Sequence, residues 1–442
     1  MQTTFPNSRQ VRRAALFQGA VVFTATACGL LLSFVPLRQS LVGLGAGLSA
    51  LALFLRPEIA LALFLVAGTV KADPRISSVV AVDLTVVLAT LLALSCVFKF
   101  FTGRTVRPAL PPTYPLYLFL ILMMLASLFY TPNLTAGIDK CARFVFLTGL
   151  AIVSPFFLFD TPQKVKAFLY ALAAAGFLLS LDALTRLGGT ERLTTLGGLT
   201  IQLGSAAGIS LAVIWMLLLP QFTFRKRIFL LPLMAVPLVA LIGSGARGAA
   251  LGAACVILFG VVVHRFLIVD TLVLAGVGTA GLTLVAIPQA SYDYLSTLLS
   301  ARSTAVLGFR NDLMSLAWRL IQEHPLLGVG IGGYPYYSPD PQDYGWPHNI
   351  FLELGSELGV VAAAIFVALV AWCFWEAFKE FRSPTFPLRN IAAVVFSLLI
   401  FGFLQMIKSG DINDNRGMWL YLGLPFLLRL LDVNCQAETK PS

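Results

Sequence analysis

Charged residues are scarce in this 442-residue sequence. Only 12% of its residues are Asp, Glu, Lys or Arg and 58% are hydrophobic, whereas soluble domains carry roughly 25% charged residues. A chain with so little charge and so much apolar surface has no water-soluble fold, so its composition excludes soluble enzymes and soluble binding modules. Its mean hydropathy of +0.86 is typical of an integral membrane protein.

Residues that bind metals or form covalent intermediates are also scarce or scattered. The chain has three histidines and six dispersed cysteines, with no CxxC pair and no metal-ligand spacing. The cysteines fall mostly within apolar stretches, where we expect small buried hydrophobic residues. No serine stands in the sharp turn that a covalent acyl-transfer enzyme requires. The sequence thus points away from metal-dependent hydrolysis and covalent acyl transfer, and we predict neither a metal nor a cofactor.

Long apolar segments are abundant. They lack the alternating polarity of barrel strands, and several approach the roughly 20 residues that a membrane-spanning helix needs. We therefore predict an all-α fold, a polytopic transmembrane helix bundle with 12–14 spans. The candidate segments lie near 14–35, 37–55, 59–70, 78–101, 115–130, 141–159, 165–187, 201–219, 228–243, 247–264, 266–287, 350–378, 388–408 and 412–430.

The distribution of basic residues predicts the orientation. The net charge of +10 would suit nucleic acid, but Lys and Arg also collect in the cytoplasmic loops of membrane proteins. The clusters RQVRR, KFFTGRTVR, RKR and KEFR all fall on one side when the segments alternate. We predict cytoplasmic termini and three regions: spans with short loops at 1–288, a large outer loop at 289–349, and further spans with a cytoplasmic tail at 350–442.

The outer loop has a helical pattern of its own. Apolar residues recur at helical spacing from Phe309, with polar residues filling most other positions. This predicts an amphipathic helix on the outer surface that ends before Pro325. The GVGIGG that follows predicts a tight, flexible turn, and it lacks the βαβ context of a dinucleotide-binding loop. The recurring apolar positions are Leu313, Leu316, Ala317, Leu320 and Ile321.

His348 is the candidate catalytic base. It stands where a helix is predicted to begin near Ile350, and the partial positive charge of a helix N-terminus disfavours an imidazolium. A neutral imidazole is able to accept a proton. The alternatives are an interfacial histidine and a plain helix cap provided by Asn349.

Arg247 and Arg310 are the candidate anion-binding residues. Arg247 lies in a glycine-rich turn between two apolar segments, where its planar fork suits bidentate phosphate binding. A snorkelling side chain or an internal ion pair is the alternative. Arg310 opens the predicted outer helix, and its alternative is a solvated polar face. Asn349 beside the candidate base, Arg319 on the same helix as Arg310 and Arg416 in a polar outer hairpin are weaker candidates for support.

Three segments in order resemble the O-antigen ligase and O-antigen polymerase superfamily of bacterial envelope glycosyltransferases. They are GSGARGA at 243–249, GFRNDLMSLAWRLIQEHPLLGVGIGGY at 308–334, and PHNIFLELGSELG at 347–359. The superfamily has a small-residue-Arg-Gly-Ala turn, an HPLxGxGxG segment and an HNxxLxxxxExG helix start around one large periplasmic loop. The likeness is detailed over roughly 228–378 and rests elsewhere on hydropathy.

The resemblance implies a function as an O-antigen ligase. The donor would be a glycan on undecaprenyl pyrophosphate and the acceptor lipid A–core, without a nucleotide sugar, an essential metal or a nucleic acid partner. It implies that His348 activates the acceptor hydroxyl and that Arg247 and Arg310 hold the pyrophosphate. It places the protein among the lipids of the bacterial inner membrane, with the active site on the periplasmic side.

Other functions stay open at this stage. A polymerase of the same superfamily, acting on O-antigen or exopolysaccharide, would use a second lipid-linked repeat unit as acceptor. A protein-glycosylating ligase is a further relative. A polysaccharide transporter or flippase belongs to another class, but the sequence has no inverted repeat and its charges concentrate outside the apolar segments.

Overall fold

The computed structural model divides the chain into two compact units, residues 1–56 and 57–442. The first unit contributes helix α1, Leu37–Leu55, whose leucines at 48, 51 and 55 are exposed. Every other element named below belongs to the second unit. The structure describes residues 37–69, 83–102, 111–187, 192–196, 198–264, 268–270, 272, 276, 304–338, 345–408 and 410–439.

The second unit is helical, and the described residues contain no strand, which confirms the predicted all-α class. Two helices pass through π-helical turns, Arg143–Thr148 between α5 and α6 and Ile214–Leu218 after α8. The helices are α2 Pro57–Val66, α3 Leu84–Thr102, α4 Tyr114–Ser127, α5 Leu134–Ala142, α6 Gly149–Leu158, α7 Pro162–Leu184, α8 Thr200–Val213, α9 Phe224–Ser244, α10 Arg247–Val263, α11 Thr304–Glu323, α12 Ile350–Arg382, α13 Arg389–Lys408 and α14 Arg416–Thr439.

Within the described residues, six helices are long and apolar enough to cross a membrane. Helices suit this role because each satisfies its backbone hydrogen bonds internally, where lipid offers no partner. Further predicted spans correspond to shorter apolar helices, and the predicted spans 14–35 and most of 266–287 lie outside the described residues. The six are α3, the continuous α5–α6, α7, α8 with its extension to Gln221, α12 and α13.

Aromatic side chains pack the centre of the second unit around Trp419 of α14. Its ring centroid lies 5.9 Å from that of Tyr117, 5.1 Å from Phe144 and 4.9 Å from Phe366. These rings come from α4, the first π-helical turn and α12. Because aromatic pairs add about 0.5–1.5 kcal/mol each beyond area burial, this cluster fixes the four elements relative to each other.

The ends of several helices meet at one face of the second unit, here called the site face. Asn413 Nδ2 donates to the Lys140 carbonyl at 3.2 Å, which joins the α13–α14 hairpin to α5. Thr131 Oγ1 donates to the Ile331 carbonyl at 2.9 Å, which joins the α4–α5 loop to the segment after α11. The structure thus brings the α13–α14 hairpin, the α4–α5 loop and the segment after α11 to one face. The side of the membrane on which this face lies stays a prediction.

Helix α11 confirms the amphipathic helix predicted from periodicity. Its buried residues pack with Val329 and Tyr334 and against α12. The Tyr334 hydroxyl donates to the Leu313 carbonyl at 2.8 Å, and burial raises the pKa of Tyr334, so this hydroxyl stays a neutral donor. The segment after α11 is therefore anchored to the helix. The buried helix residues are Leu313, Leu316, Ala317 and Leu320.

Candidate functional site

Helix α12 begins at the site face with a short separate segment. Gly359 has φ +84° and ψ 173°, which interrupts the helix after residue 358. Residues 350–358 therefore form a half-helix. Its N-cap is Asn349, whose side-chain oxygen accepts hydrogen bonds from the backbone nitrogens of Phe351 at 2.9 Å and Leu352 at 3.3 Å. Asn349 thus acts as the plain cap that was one of the sequence alternatives.

The segment that follows α11 fills the interruption in α12. Val329 N donates to the Ser356 carbonyl at 2.9 Å, and Gly330 N donates to the Glu357 carbonyl at 2.8 Å. From the other side, Val360 N donates to the Pro325 carbonyl at 2.8 Å. A broken helix leaves carbonyls without their intrahelical partners, and the turn 325–330 satisfies them here.

Glycine is required in this turn for close approach rather than for the flexibility expected from the sequence. Gly328 has φ +64°, and a Cβ there would lie 2.5 Å from the Glu357 carbonyl oxygen. Gly330 has φ +89°, and its Cβ would lie 2.6 Å from the Thr131 Cα. Both positions adopt backbone angles that L-residues with side chains rarely use. The GVGIGG turn is therefore clamped between the half-helix and the α4–α5 loop.

A buried ionic cluster joins the half-helix to α5. Lys140 Nζ lies 2.5 Å from Glu353 Oε1 and 2.7 Å from Glu357 Oε2. The two glutamates are spaced i, i+4 and so lie on one side of the half-helix. Their side chains are each 1% exposed and that of Lys140 is 11% exposed. One ammonium thus contacts two carboxyl groups away from solvent, and its single charge offsets that of one carboxylate.

His348 precedes the cap of the half-helix and has an unusual backbone. Its φ is +54°, one of two positive values among the non-glycine residues described. Such conformations are uncommon outside glycine and concentrate at functional sites. His348 is 8% exposed, and its ring centroid lies 5.7 Å from that of Trp346, in an edge-to-face contact. His348 thus stands one residue before the N-cap of the half-helix, with its imidazole packed against Trp346.

Arg247 is the first residue of α10, and the N-cap Ala246 separates it from the left-handed Gly245 that caps α9. Leu193 N donates to the Gly243 carbonyl at 2.9 Å, so the loop before α8 lies against this turn. A Cβ at the adjacent Gly248 would lie 2.7 Å from Gln405 Oε1, so the start of α10 packs against the end of α13. A guanidinium beside the N–H groups of a helix start suits an anion.

The remaining predicted arginines lie in different surroundings. Arg416 begins α14, and its guanidinium carbon lies 4.8 Å from the ring centroid of Phe64. Arg319 is 64% exposed and lies 3.9 Å from Glu323 on the exposed side of α11. Arg310 falls within α11, and its side chain lies outside what the structure describes.

Contacts connect the neighbourhood of Arg247 with that of His348. A Cβ at Gly248 would also lie 3.2 Å from the Lys408 Cβ at the end of α13. The hairpin that follows α13 bonds to Lys140 through Asn413, and Lys140 pairs with the half-helix. The structure therefore links α10, which Arg247 begins, to the half-helix, which His348 precedes, through the end of α13, the hairpin that follows it and Lys140.

Sequence reasoning assigned no role to the ionic cluster of Lys140, Glu353 and Glu357. Its signal was present, because two glutamates spaced i, i+4 fall within the apolar segment predicted at 350–378. Charges in such segments are functional candidates by default. The sequence alone offered no way to identify their partner, which lies 217 residues away from Glu357 along the chain.

Comparison with known proteins supports the resemblance. The model of a family described as O-antigen ligase matches residues 232–367, a range that includes α10, α11 and the half-helix. No curated protein matches the chain. The family match confirms the resemblance to the O-antigen ligase superfamily and supports a multi-pass, glycosyltransferase-like membrane enzyme acting on polysaccharide or lipid-linked substrates.

Proposed function

We propose that this protein is an O-antigen ligase-type glycosyltransferase. It transfers a glycan from undecaprenyl pyrophosphate to lipid A–core, on the periplasmic side of the bacterial inner membrane. The observation that supports the proposal is that a chain of contacts links the three segments that resemble the family's motifs. Arg247 starts α10, the GVGIGG turn clamps the half-helix, and His348 stands at the N-terminus of that half-helix.

The proposed reaction is a direct displacement at the anomeric carbon. His348 removes the proton from an acceptor hydroxyl as its oxygen forms a bond to that carbon. The bond between the anomeric carbon and the pyrophosphate oxygen breaks, and the lipid pyrophosphate leaves with the electron pair. The proton remains on the imidazole until it passes to solvent or to the leaving group.

The leaving pyrophosphate needs positive charge as the bond breaks. Hydrogen-bond donors and positive charges that are held in place before the reaction stabilise the negative charge that develops in the transition state. Arg247 and Arg310 have this role in the proposal, with Arg416 and Arg319 in support. The N-terminus of α10 adds its partial positive charge beside Arg247. These groups would make the reaction independent of a metal.

The environment of His348 supports its role as a base. The imidazole adjoins the capped N-terminus of the half-helix, whose partial positive charge disfavours the protonated form. A neutral ring at physiological pH is the state that a base for a sugar hydroxyl requires.

A reconstitution tests the proposal. Purified protein receives undecaprenyl-pyrophosphate-linked glycan with and without lipopolysaccharide that lacks O-antigen, and the products are separated on a gel. A ladder on lipid A–core that requires both substrates is the expected result. Lengthening of the lipid-linked glycan alone would identify a polymerase. The absence of product under both conditions would favour the alternative that the protein is a transporter.

A further inference from the structure

The half-helix 350–358 depends on contacts outside α12 for its position. The interruption at Gly359 separates it from the hydrogen-bond ladder of the remaining helix. At its C-terminal end it is held by the backbone bonds from Val329 and Gly330. Across its length, the ion pairs from Glu353 and Glu357 tie it by side chains to another helix.

Lys140 is the residue at which these ion pairs converge. Its side chain reaches both glutamates, and its backbone carbonyl accepts the hydrogen bond from Asn413 of the α13–α14 hairpin. Asn413 Oδ1 in turn accepts from Thr148 Oγ1 at 3.3 Å. Lys140 therefore connects the half-helix to both the hairpin and the helix that carries the first π-helical turn.

Because the cluster is buried, it restricts how the half-helix can be oriented. A buried carboxylate is stable as an ion only where a cation faces it, and Lys140 is the cation that both glutamates, each 1% exposed, contact. The half-helix can satisfy both only in the rotation and height that bring its two glutamates to Lys140. His348 and the cap Asn349 precede this half-helix directly, so the same rotation sets where the imidazole lies.

We propose that Lys140 is a positioning residue for glycosyl transfer, which it supports by fixing the half-helix and thereby the placement of His348. This inference rests on the proposed function for its catalytic consequence. A displacement of about 1 Å of a reacting group costs about a hundredfold in rate. Loss of the cluster should therefore lower kcat. It should leave the KM for the donor nearly unchanged, because Arg247 and Arg310, which hold the donor in the proposal, lie on α10 and α11.

The test uses the full-length variant K140M/E353Q/E357Q, which removes both ion pairs without leaving an unpaired buried charge. Neutral replacements of buried ion pairs often leave stability intact. We expect a denaturation midpoint near that of the wild type, a kcat at least tenfold lower, and a donor KM within twofold. A kcat equal to that of the wild type would overturn the inference, because the cluster would then serve the fold alone.

A second measurement is independent of catalysis. Amide hydrogen exchange of the wild type and the variant is compared at Phe351, Leu352, Val329 and Gly330, whose N–H groups are bonded within or onto the half-helix. We expect exchange at least tenfold faster in the variant at these amides. Unchanged exchange would overturn the inference whatever the activity. Wild-type protein without transfer activity would instead refute the proposed function.

Two further variants complete the design. K140R retains the charge, but its planar fork does not reproduce the contact of one ammonium with two carboxylates. It should show the same two effects, and it replaces the triple variant if that protein does not fold. The matched control is R143K, because Arg143 lies on the next turn and pairs with Asp139 at an exposed position. R143K should change neither kcat nor exchange at the half-helix.

Discussion

The interruption of α12 makes Gly359→Ala a severe substitution. The φ of +84° and ψ of 173° lie in a region nearly exclusive to glycine, where another residue costs about 1–3 kcal/mol. A Cβ would also lie 2.5 Å from the Leu326 carbonyl carbon, so the turn 325–330 must shift. Losing the hydrogen bond from Val360 to Pro325 adds about 1 kcal/mol, for a total of about 2–4 kcal/mol.

The assay measures the denaturation midpoint of the purified protein in detergent and the initial rate of transfer. Both should fall, because the turn and the half-helix share the hydrogen bonds that the substitution disturbs. The control is Gly47→Ala in α1, where an added Cβ has no described atom within 4 Å. Alanine is the better helix former by about 0.5–1 kcal/mol, so this control should be neutral or slightly stabilising.

A Gly359→Ala protein with the midpoint and rate of the wild type would refute the reasoning. It would mean that α12 runs through position 359 as a continuous helix in the functional protein. The turn would then need other partners for Val329 and Gly330. A lowered midpoint with an unchanged rate at low temperature would show instead that the interruption stabilises the fold without setting the geometry of the site.

Three further predictions concern the chemistry. His348→Ala should lower the transfer rate by about 10²–10⁴-fold, measured as initial rate at equal amounts of inserted protein, and near-normal activity would exclude it as the base. Arg247→Lys and Arg310→Lys should each raise the donor KM or lower kcat, because a lysine ammonium lacks the bidentate fork; wild-type kinetics in either would assign that arginine to a solvated or structural position. EDTA should leave the rate unchanged, and a loss restored by a divalent ion would contradict the metal-independent mechanism.

The sequence predicted those parts of the fold that depend on local patterns. The apolar segments and the period of α11 follow from neighbouring residues, because a helix closes its hydrogen bonds within itself. The cap at Asn349 was also readable, since a polar residue preceded the apolar run. The sequence also predicted a turn at GVGIGG, but it did not predict why this turn requires glycine. Gly328 and Gly330 make room for backbone from other parts of the chain.

The parts that the sequence did not predict depend on contacts distant along the chain. Gly359 stands in an apolar run like other glycines of transmembrane helices, and its φ follows from the turn that fills the gap. Lys140 falls where a short loop was predicted to end, with no sign that it would face Glu353 and Glu357. The assembly of the site face needed the three-dimensional arrangement of α5, α12 and α13.

The site separates residues that build geometry from residues that carry charge or protons. The glycines at 328, 330 and 359 are constrained by backbone angle and close approach, so replacing them should lower stability and activity together. His348 and Arg247 stand at helix starts, with the half-helix and α10 continuing behind them. Replacing either residue leaves the backbone hydrogen bonds of those helices in place, so activity should fall while stability is unchanged.

Lys140 lies between these classes, because it contacts no substrate in the proposed reaction and yet sets where the half-helix stands. Stability and kcat measured together should therefore separate the glycine variants from the other two groups, and amide exchange at the half-helix should separate the Lys140 variants from those of His348 and Arg247. A histidine variant that unfolds the protein would show that this separation is wrong.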